Sequence, residues 1–230
     1  MIPDFSKLEQ RIGVKFKNKT PLKEALTHRS YLNENPSWGI TNNERLEYLG
    51  DAVLELAVSE ELFNRFPEYP EGKLTTLRAA LVNYITLASI ARSIDLDGFV
   101  LLSRGEAKDT GRARDVILAN VLEALIGAIY IDLSFKEAKT FINKFVMIHL
   151  DEIIKNQLYE DPKSLLQEKI QSQLRVTPTY KVLEEKGPDH ARIFIVGVYF
   201  GEQMIATGEG PSKQAAEVEA AQKALKSLKH

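Results

Sequence analysis

The stretch Asn43-Glu44-Arg45-Leu46-Glu47-Tyr48-Leu49-Gly50-Asp51-Ala52-Val53-Leu54-Glu55, NERLEYLGDAVLE, combines helical periodicity with a run of carboxylates. Wound at about 100° per residue, it sets Glu44, Glu47, Asp51 and Glu55 in a narrow arc. Leu46, Leu49, Ala52, Val53 and Leu56 fall on the other side. The acids form a stripe about three turns long. Like charges at this spacing weaken a helix by roughly 0.2–0.5 kcal/mol per pair. The stripe is therefore either a solvated face that tolerates the repulsion or a face that holds a cation.

Outward from this helix, residues 1 to 158 read as helical, with elements expected near 4–12, 21–31, 43–65, 71–94, 114–132 and 135–157. Pro67, Pro70, Gly72, Gly98, Gly105 and Gly111 punctuate them. Tyr159-Glu160-Asp161-Pro162 then breaks the pattern. Ser164 to Leu174 reads as a short amphipathic helix, Thr179–Glu185 and Arg192–Phe200 as strands, and Gln203–Thr207 as a weaker third strand. In the second strand Phe194, Val196, Val198 and Phe200 alternate with Ile193, Ile195, Gly197 and Tyr199. From Ser212, an N-cap candidate, an Ala-rich helix closes the chain. Two domains are expected, 1–158 and 159–230: an all-α domain, then a small α+β domain of order α-β-β-β-α. There is no internal repeat.

A second acidic element lies in Val116–Ile131, VILANVLEALIGAIYI, a helix apolar on nearly every side and hence expected to be buried. Within it, Asn120 and Glu123 alone carry an amide or a carboxylate, and they are spaced i,i+3. A buried, unpaired carboxylate is costly or takes up a proton, so Glu123 needs a partner. One candidate is an arginine: Arg45, Arg78 or Arg114. The other is a cation shared with Glu44, Glu47 and Asp51. Two bare carboxylates at 4 Å repel by about 4 kcal/mol at an effective dielectric of 20, and a divalent ion reverses that sign. The candidate ligands are all oxygens. There are no cysteines, and the four histidines are scattered singly. Such a donor set suits Mg²⁺, with Mn²⁺ as a substitute, and an ion there would activate water and stabilise charge on a phosphoryl group. His28 reads as a packing or hydrogen-bonding residue.

The bulk composition bounds the rest. The 230 residues carry a formal net charge of −2, which by itself points away from nucleic acid, so such a partner has to rest on where the charges sit. The lack of cysteine excludes disulfides, thiolate catalysis and cysteine-bound zinc. With no apolar N-terminal run and no span long enough for a bilayer, the expectation is a cytoplasmic protein without a membrane partner.

Five segments together resemble the ribonuclease III family in order and spacing: NERLEYLGDAVLE, LTHRSY at Leu26–Tyr31, PEGKL at Pro70–Leu74, RAALV at Arg78–Val82 and EALIGAIYID at Glu123–Asp132. Residues after 158 resemble the double-stranded-RNA-binding domain that follows the nuclease in the bacterial enzymes. The resemblance implies an all-α endonuclease domain, a homodimer, Mg²⁺ dependence without a small-molecule cofactor, and cleavage of double-stranded RNA. Products would carry 5′-phosphates and 3′-hydroxyls with a short 3′ overhang, in processing of rRNA and other transcripts. By motif position it marks Glu47, Asp51, Asn120 and Glu123 as the metal set. The same match implies Glu44, Asp51 and Glu123 as the catalytic acids and puts Glu71 near the scissile region. One position departs from the pattern: the family usually has ILAD where this chain has ILAN, with Asn120. The amide can touch a metal or its water but carries no charge. Asn120 is then an active variant, an inactivating change, or one that weakens metal binding.

A-form RNA is read by shape through its shallow minor groove and its phosphates. Ser164, Gln167 and Gln171 share one helix face and can reach 2′-hydroxyls, and the family match selects the same three. Leu165, Leu166 and Ile170 read as core. The loop Gly187–His190 would present His190 to the next minor groove. Ser212 and Lys213 open the last helix, where backbone N–H groups and an ammonium favour phosphate. Taken alone, Lys213 would be a solvated surface lysine. Gln214 stands where the family usually has a second lysine. Two rival functions remain: a catalytically impaired duplex-RNA binder, for which Asn120 is the evidence, and a metal-dependent hydrolase of small phosphate esters.

Overall fold

The computed structural model describes residues 3–156, 159, 161–188 and 192–228. His190 lies outside them. The chain divides into two compact units, Met1–Tyr159 and Glu160–His230.

Unit 1 is helical: α1 (Phe5–Ile12), α2 (Lys19–Ala25), α3 (Arg29–Glu34), α4 (Glu44–Arg65), α5 (Glu71–Val82), α6 (Tyr84–Ser93), α7 (Arg112–Asp132), α8 (Phe135–Phe145) and α9 (Leu150–Lys155). Its starts follow local capping chemistry: Asp4, Asn18, Asn83 and Ser134 each accept a backbone N–H of the first turn. The apolar α7 runs through the middle, with every residue from Ile117 to Ile129 buried except Asn120 and Glu123. It packs against α4, α6, α2 and α8.

Three helices expected to be continuous are broken. The segment 21–31 is interrupted at Leu26–His28, where Thr27 bridges Leu101 in parallel. There Leu101 N–H donates to the Leu26 carbonyl at 2.8 Å and His28 N–H to the Leu101 carbonyl at 3.1 Å. The segment 71–94 breaks at Asn83, whose extended backbone (ψ 154°) and side-chain cap on Thr86 start α6 at a 45° bend to α5. The segment 135–157 breaks after Phe145 and resumes at Leu150. In the first two cases a distant backbone partner or a polar side chain outcompetes helix propagation. Among the described residues no single helix is long and apolar enough to cross a membrane.

Unit 2 runs α10 (Pro162–Leu174), β1 (Thr179–Lys186), β2 (Ile193–Phe200), β3 (Gln203–Gly210) and α11 (Lys213–Ser227). The strands form one antiparallel sheet in the order β1-β2-β3, with a bulge between Val182 and Glu184. The helices cover one face through Leu166, Ile170, Val198, Ala220, Ala221 and Ala224. Leu165 is only half-buried, so the core side of α10 is narrower than the sequence suggested.

Candidate nuclease site and RNA-binding face

The site begins with two glycines. At Gly50 on α4, an added Cβ would stand 1.8 Å from the Glu123 carbonyl oxygen and 2.9 Å from the Gly127 nitrogen. At Gly127 on α7, it would stand 2.3 Å from the Leu46 carbonyl oxygen. Backbone therefore meets backbone at this crossing, and residues within two turns of the glycines on each helix are drawn together. On α4 these are Glu47 and Asp51, and on α7 they are Asn120 and Glu123.

Their electrostatics show the convergence. Burial pushes the Glu123 carboxyl up to about 8, and Asp51, Glu47 and Glu55 push in the same direction. Burial also raises Glu47, with Glu44 and Asp51 adding to it, while a hydrogen bond from the Asn120 amide holds it back. The arginine alternatives do not apply. Arg78 donates to Ser59 at 2.9 Å, and Arg114 pairs with Asp97. Among the described residues neither Glu47, Asp51 nor Glu123 has an ion-pair partner. Glu44 is exposed and 3.6 Å from Arg29, so it is partly neutralised. As the side chains stand, no group of three or more histidines or acids among the described residues is arranged to hold a metal ion. The cluster is an open, uncompensated acidic patch, and its oxygen-only donors fit a hard divalent ion.

Glu71 stands apart. It opens α5 and accepts a hydrogen bond from Thr75 Oγ1 at 2.9 Å. It lines a groove of about 420 Å³ with Leu56, Phe63, Leu74 and Arg78, and it is not among the acids coupled to Glu123. His28 caps α3, its Nδ1 accepting from the Ser30 N–H at 3.3 Å, and burial lowers its pKa.

The sequence reading missed the two glycines and Trp38. Trp38 Nε1 donates to Thr27 Oγ1 at 3.2 Å, and its ring meets Tyr31 edge-on at 5.6 Å. Thr27 in turn accepts the Asn43 N–H at 2.9 Å. Both ends of the loop before α4 are thus tied to Thr27, which aims the first turn of α4. Glu44 and Glu47 in that turn complement the positive end of the helix dipole. One face assignment on α4 also changes. Leu46, Gly50, Val53, Leu54, Ala57, Val58 and Leu62 make its buried side, whereas Ala52 and Leu56 face outward.

In unit 2, Ser164, Gln167 and Gln171 are exposed along one face of α10. Ser164 is partly engaged, its hydroxyl donating to Asp161 at 2.8 Å. Ser212 caps α11 by accepting from the Ala215 N–H at 3.1 Å. Lys213 is exposed, 3.5 Å from Glu185 and over the ring of Phe194. Residues 160–230 hold as many acids as bases, so any affinity for RNA comes from placement rather than net charge.

Comparison with known proteins agrees with this architecture. Residues 18–150 match the Ribonuclease-III-like family model and residues 162–228 the double-stranded RNA binding motif. The Ribonuclease 3 of Carboxydothermus hydrogenoformans is 46% identical over 223 residues, covering 97% of this chain and 95% of that protein. The Ribonuclease 3 of Enterococcus faecalis is 42% identical over 97% of this chain and 96% of its own length. The nuclease domain of Ribonuclease III from Campylobacter jejuni is 44% identical, with a TM-score of 0.57, and matches over 63% of this chain and 97% of its own. A helical nuclease unit followed by a duplex-RNA-binding module is thus the class of protein that fold and site define. The chain belongs to the ribonuclease III family.

Proposed function

We propose that the chain hydrolyses phosphodiesters of double-stranded RNA with Mg²⁺, or Mn²⁺ in its place. The products carry 5′-phosphates and 3′-hydroxyls with a short 3′ overhang, and rRNA and other structured transcripts in the cytoplasm are the targets. The observation that carries this reading is Glu123: a largely buried carboxyl, pushed up to about 8 by burial, Asp51, Glu47 and Glu55, with no ion-pair partner among the described residues. Glu47, Asp51 and Glu123 would hold the ion. Asn120 donates its amide N–H to Glu47, which leaves its carbonyl oxygen for the ion or a water. When bound, such an ion supplies a Lewis acid for the phosphoryl group and lowers the pKa of a water. Glu44 supports the site from the first turn of α4, and Glu71 acts near the scissile strand. Ser164, Gln167 and Gln171 meet the minor groove, and Ser212 and Lys213 a phosphate. His190 is assigned by the family likeness alone. The deciding experiment is cleavage of an end-labelled RNA duplex with and without Mg²⁺. Hydrolysis of mononucleotide esters but not of duplexes would instead favour a small phosphate-ester hydrolase.

A second reading, a silent duplex binder, is favoured by Asn120 alone. On the active reading, Asn120→Asp tightens Mg²⁺ binding by about tenfold through one added charge, and the wild type cuts at saturating metal. Calorimetric titration with Mg²⁺ checks the first point and duplex cleavage the second. A wild type inert in both metals, with activity restored in Asn120→Asp, would establish the silent binder.

The working unit is a homodimer. Tyr48, Ala52, Leu56 and Phe63 are exposed along α4, and helical winding puts them in one stripe beside the acids. Tyr48 is 81% exposed, Phe63 70% and Leu56 59%, an unusual concentration of apolar surface. A structure of the Campylobacter jejuni domain describes a region involved in dimer formation. A two-fold pair places one acidic site on each strand of a duplex. Leu56→Lys is expected to shift sedimentation from dimer to monomer and to replace paired cuts by nicks. A wild type that sediments as a monomer yet makes paired cuts removes the dimer from the reading.

A further inference from the structure

We infer that Glu185 sets the RNA affinity of unit 2, its carboxylate competing with backbone phosphate for Lys213. This rests on unit 2 acting as the duplex-binding module. Lys213 is the first residue of α11 and the only cation between Gly210 and Gln222. The helix start therefore depends on that single ammonium for its side-chain charge. Its Nζ lies 3.5 Å from Glu185 Oε1 on β1 and 5.6 Å from the centre of the Phe194 ring. Phe194 is the β2 partner of Glu185 in register. The other carboxylate oxygen, Oε2, accepts from Arg192 at 3.1 Å.

That second contact decides the direction of the effect. When Lys213 turns to a phosphate, Glu185 is still held by Arg192 and stays beside the helix start. It then lies well inside the ~10 Å screening length at 0.1 M salt, where its charge acts on the incoming anion. The Phe194 ring, 5.6 Å from the ammonium, also neighbours it, so Glu185 is not its only contact. The carboxylate thus neutralises Lys213 before binding and repels phosphate afterwards. Both effects lower duplex affinity and reduce the counterions released.

The test uses the full chain with a fluorescent duplex of about 20 base pairs, longer than the ~16 such a module spans, in EDTA so that nothing is cut. Glu185→Gln keeps the shape and the strand ladder. It should bind about two- to fivefold tighter than wild type at moderate salt, and steepen log K against log salt by up to about 0.9. In a Lys213→Ala background the same substitution should give a clearly smaller gain, because only the repulsion of phosphate is left to relieve. Unchanged or weaker binding by Glu185→Gln overturns the inference, as does a gain that is undiminished with Lys213 removed, since competition for Lys213 would then contribute nothing. Glu185→Ala, with melting temperature as the control, must show the same direction. If the wild type does not bind duplex at all, the reading of unit 2 fails instead.

Discussion

Glu123→Gln is expected to abolish duplex cleavage while making the metal-free protein more stable at pH 8. The sign follows from where the carboxyl titrates. Its folded-state pKa is raised from 4.5 to about 8, with burial the first cause and Asp51, Glu47 and Glu55 the others. Between those values the folded protein holds a proton that the unfolded chain has released. Stability is therefore highest near the acid end of that window and falls as pH rises through it. Glutamine keeps the shape and cannot ionise, so it avoids the loss. We expect a gain on the order of 2–4 kcal/mol at pH 8, little near pH 4.5, and a fall in cleavage of at least about 10³-fold. Thermal melts at the two pH values, with and without Mg²⁺, check it. In the wild type Mg²⁺ should restore much of the difference, because binding to the folded state alone is stabilising. A variant that cuts at the wild-type rate would remove Glu123 from the chemistry. Equal stabilisation at both pH values would show that its charge is not what the fold tolerates.

Gly50→Ala is expected to destabilise unit 1 by at least about 3 kcal/mol and to remove cleavage with it. The new Cβ would fall 1.8 Å from a main-chain oxygen of Glu123, and a backbone neighbour cannot swing aside as a side chain can. Relief requires α4 and α7 to separate, which pulls Glu47 and Asp51 away from Glu123. Gly127→Ala should act in the same direction, through its 2.3 Å approach to the Leu46 carbonyl. Denaturant melts of each variant measure the effect. Near-normal stability in both would mean that the crossing is looser than the two glycines imply.

Much of this architecture is legible in the residues, and the failures share a cause. The acid stripe of α4, the apolar run of α7 and the alternation in β2 are local periodicities, set by the geometry of a single element. The breaks at Thr27 and Asn83 depend on a partner outside the element or on one capping side chain, neither of which alters the apolar pattern. Leu56 was misplaced because α4 is apolar on more than one side, so a helical wheel cannot separate a core face from a surface one. The convergence of Glu47, Asp51 and Glu123 was readable as a need, since buried carboxylates demand a remedy. The means, two facing glycines, was not, because their significance exists only where α4 and α7 touch. Trp38 and Glu185 were silent for the same reason. Each acts on a residue brought near by the fold, Thr27 and Lys213 respectively.

The exposed apolar stripe and the acidic stripe share one helix, side by side, with Tyr48 directly after Glu47 and Leu56 directly after Glu55. On the proposed reading, partner capture and bond scission cannot be tuned separately. Any drift in one edge of α4 is felt at the other. Dilution should then change the kind of product and not merely its yield: scarce enzyme leaves interrupted duplexes, and abundant enzyme leaves severed ones.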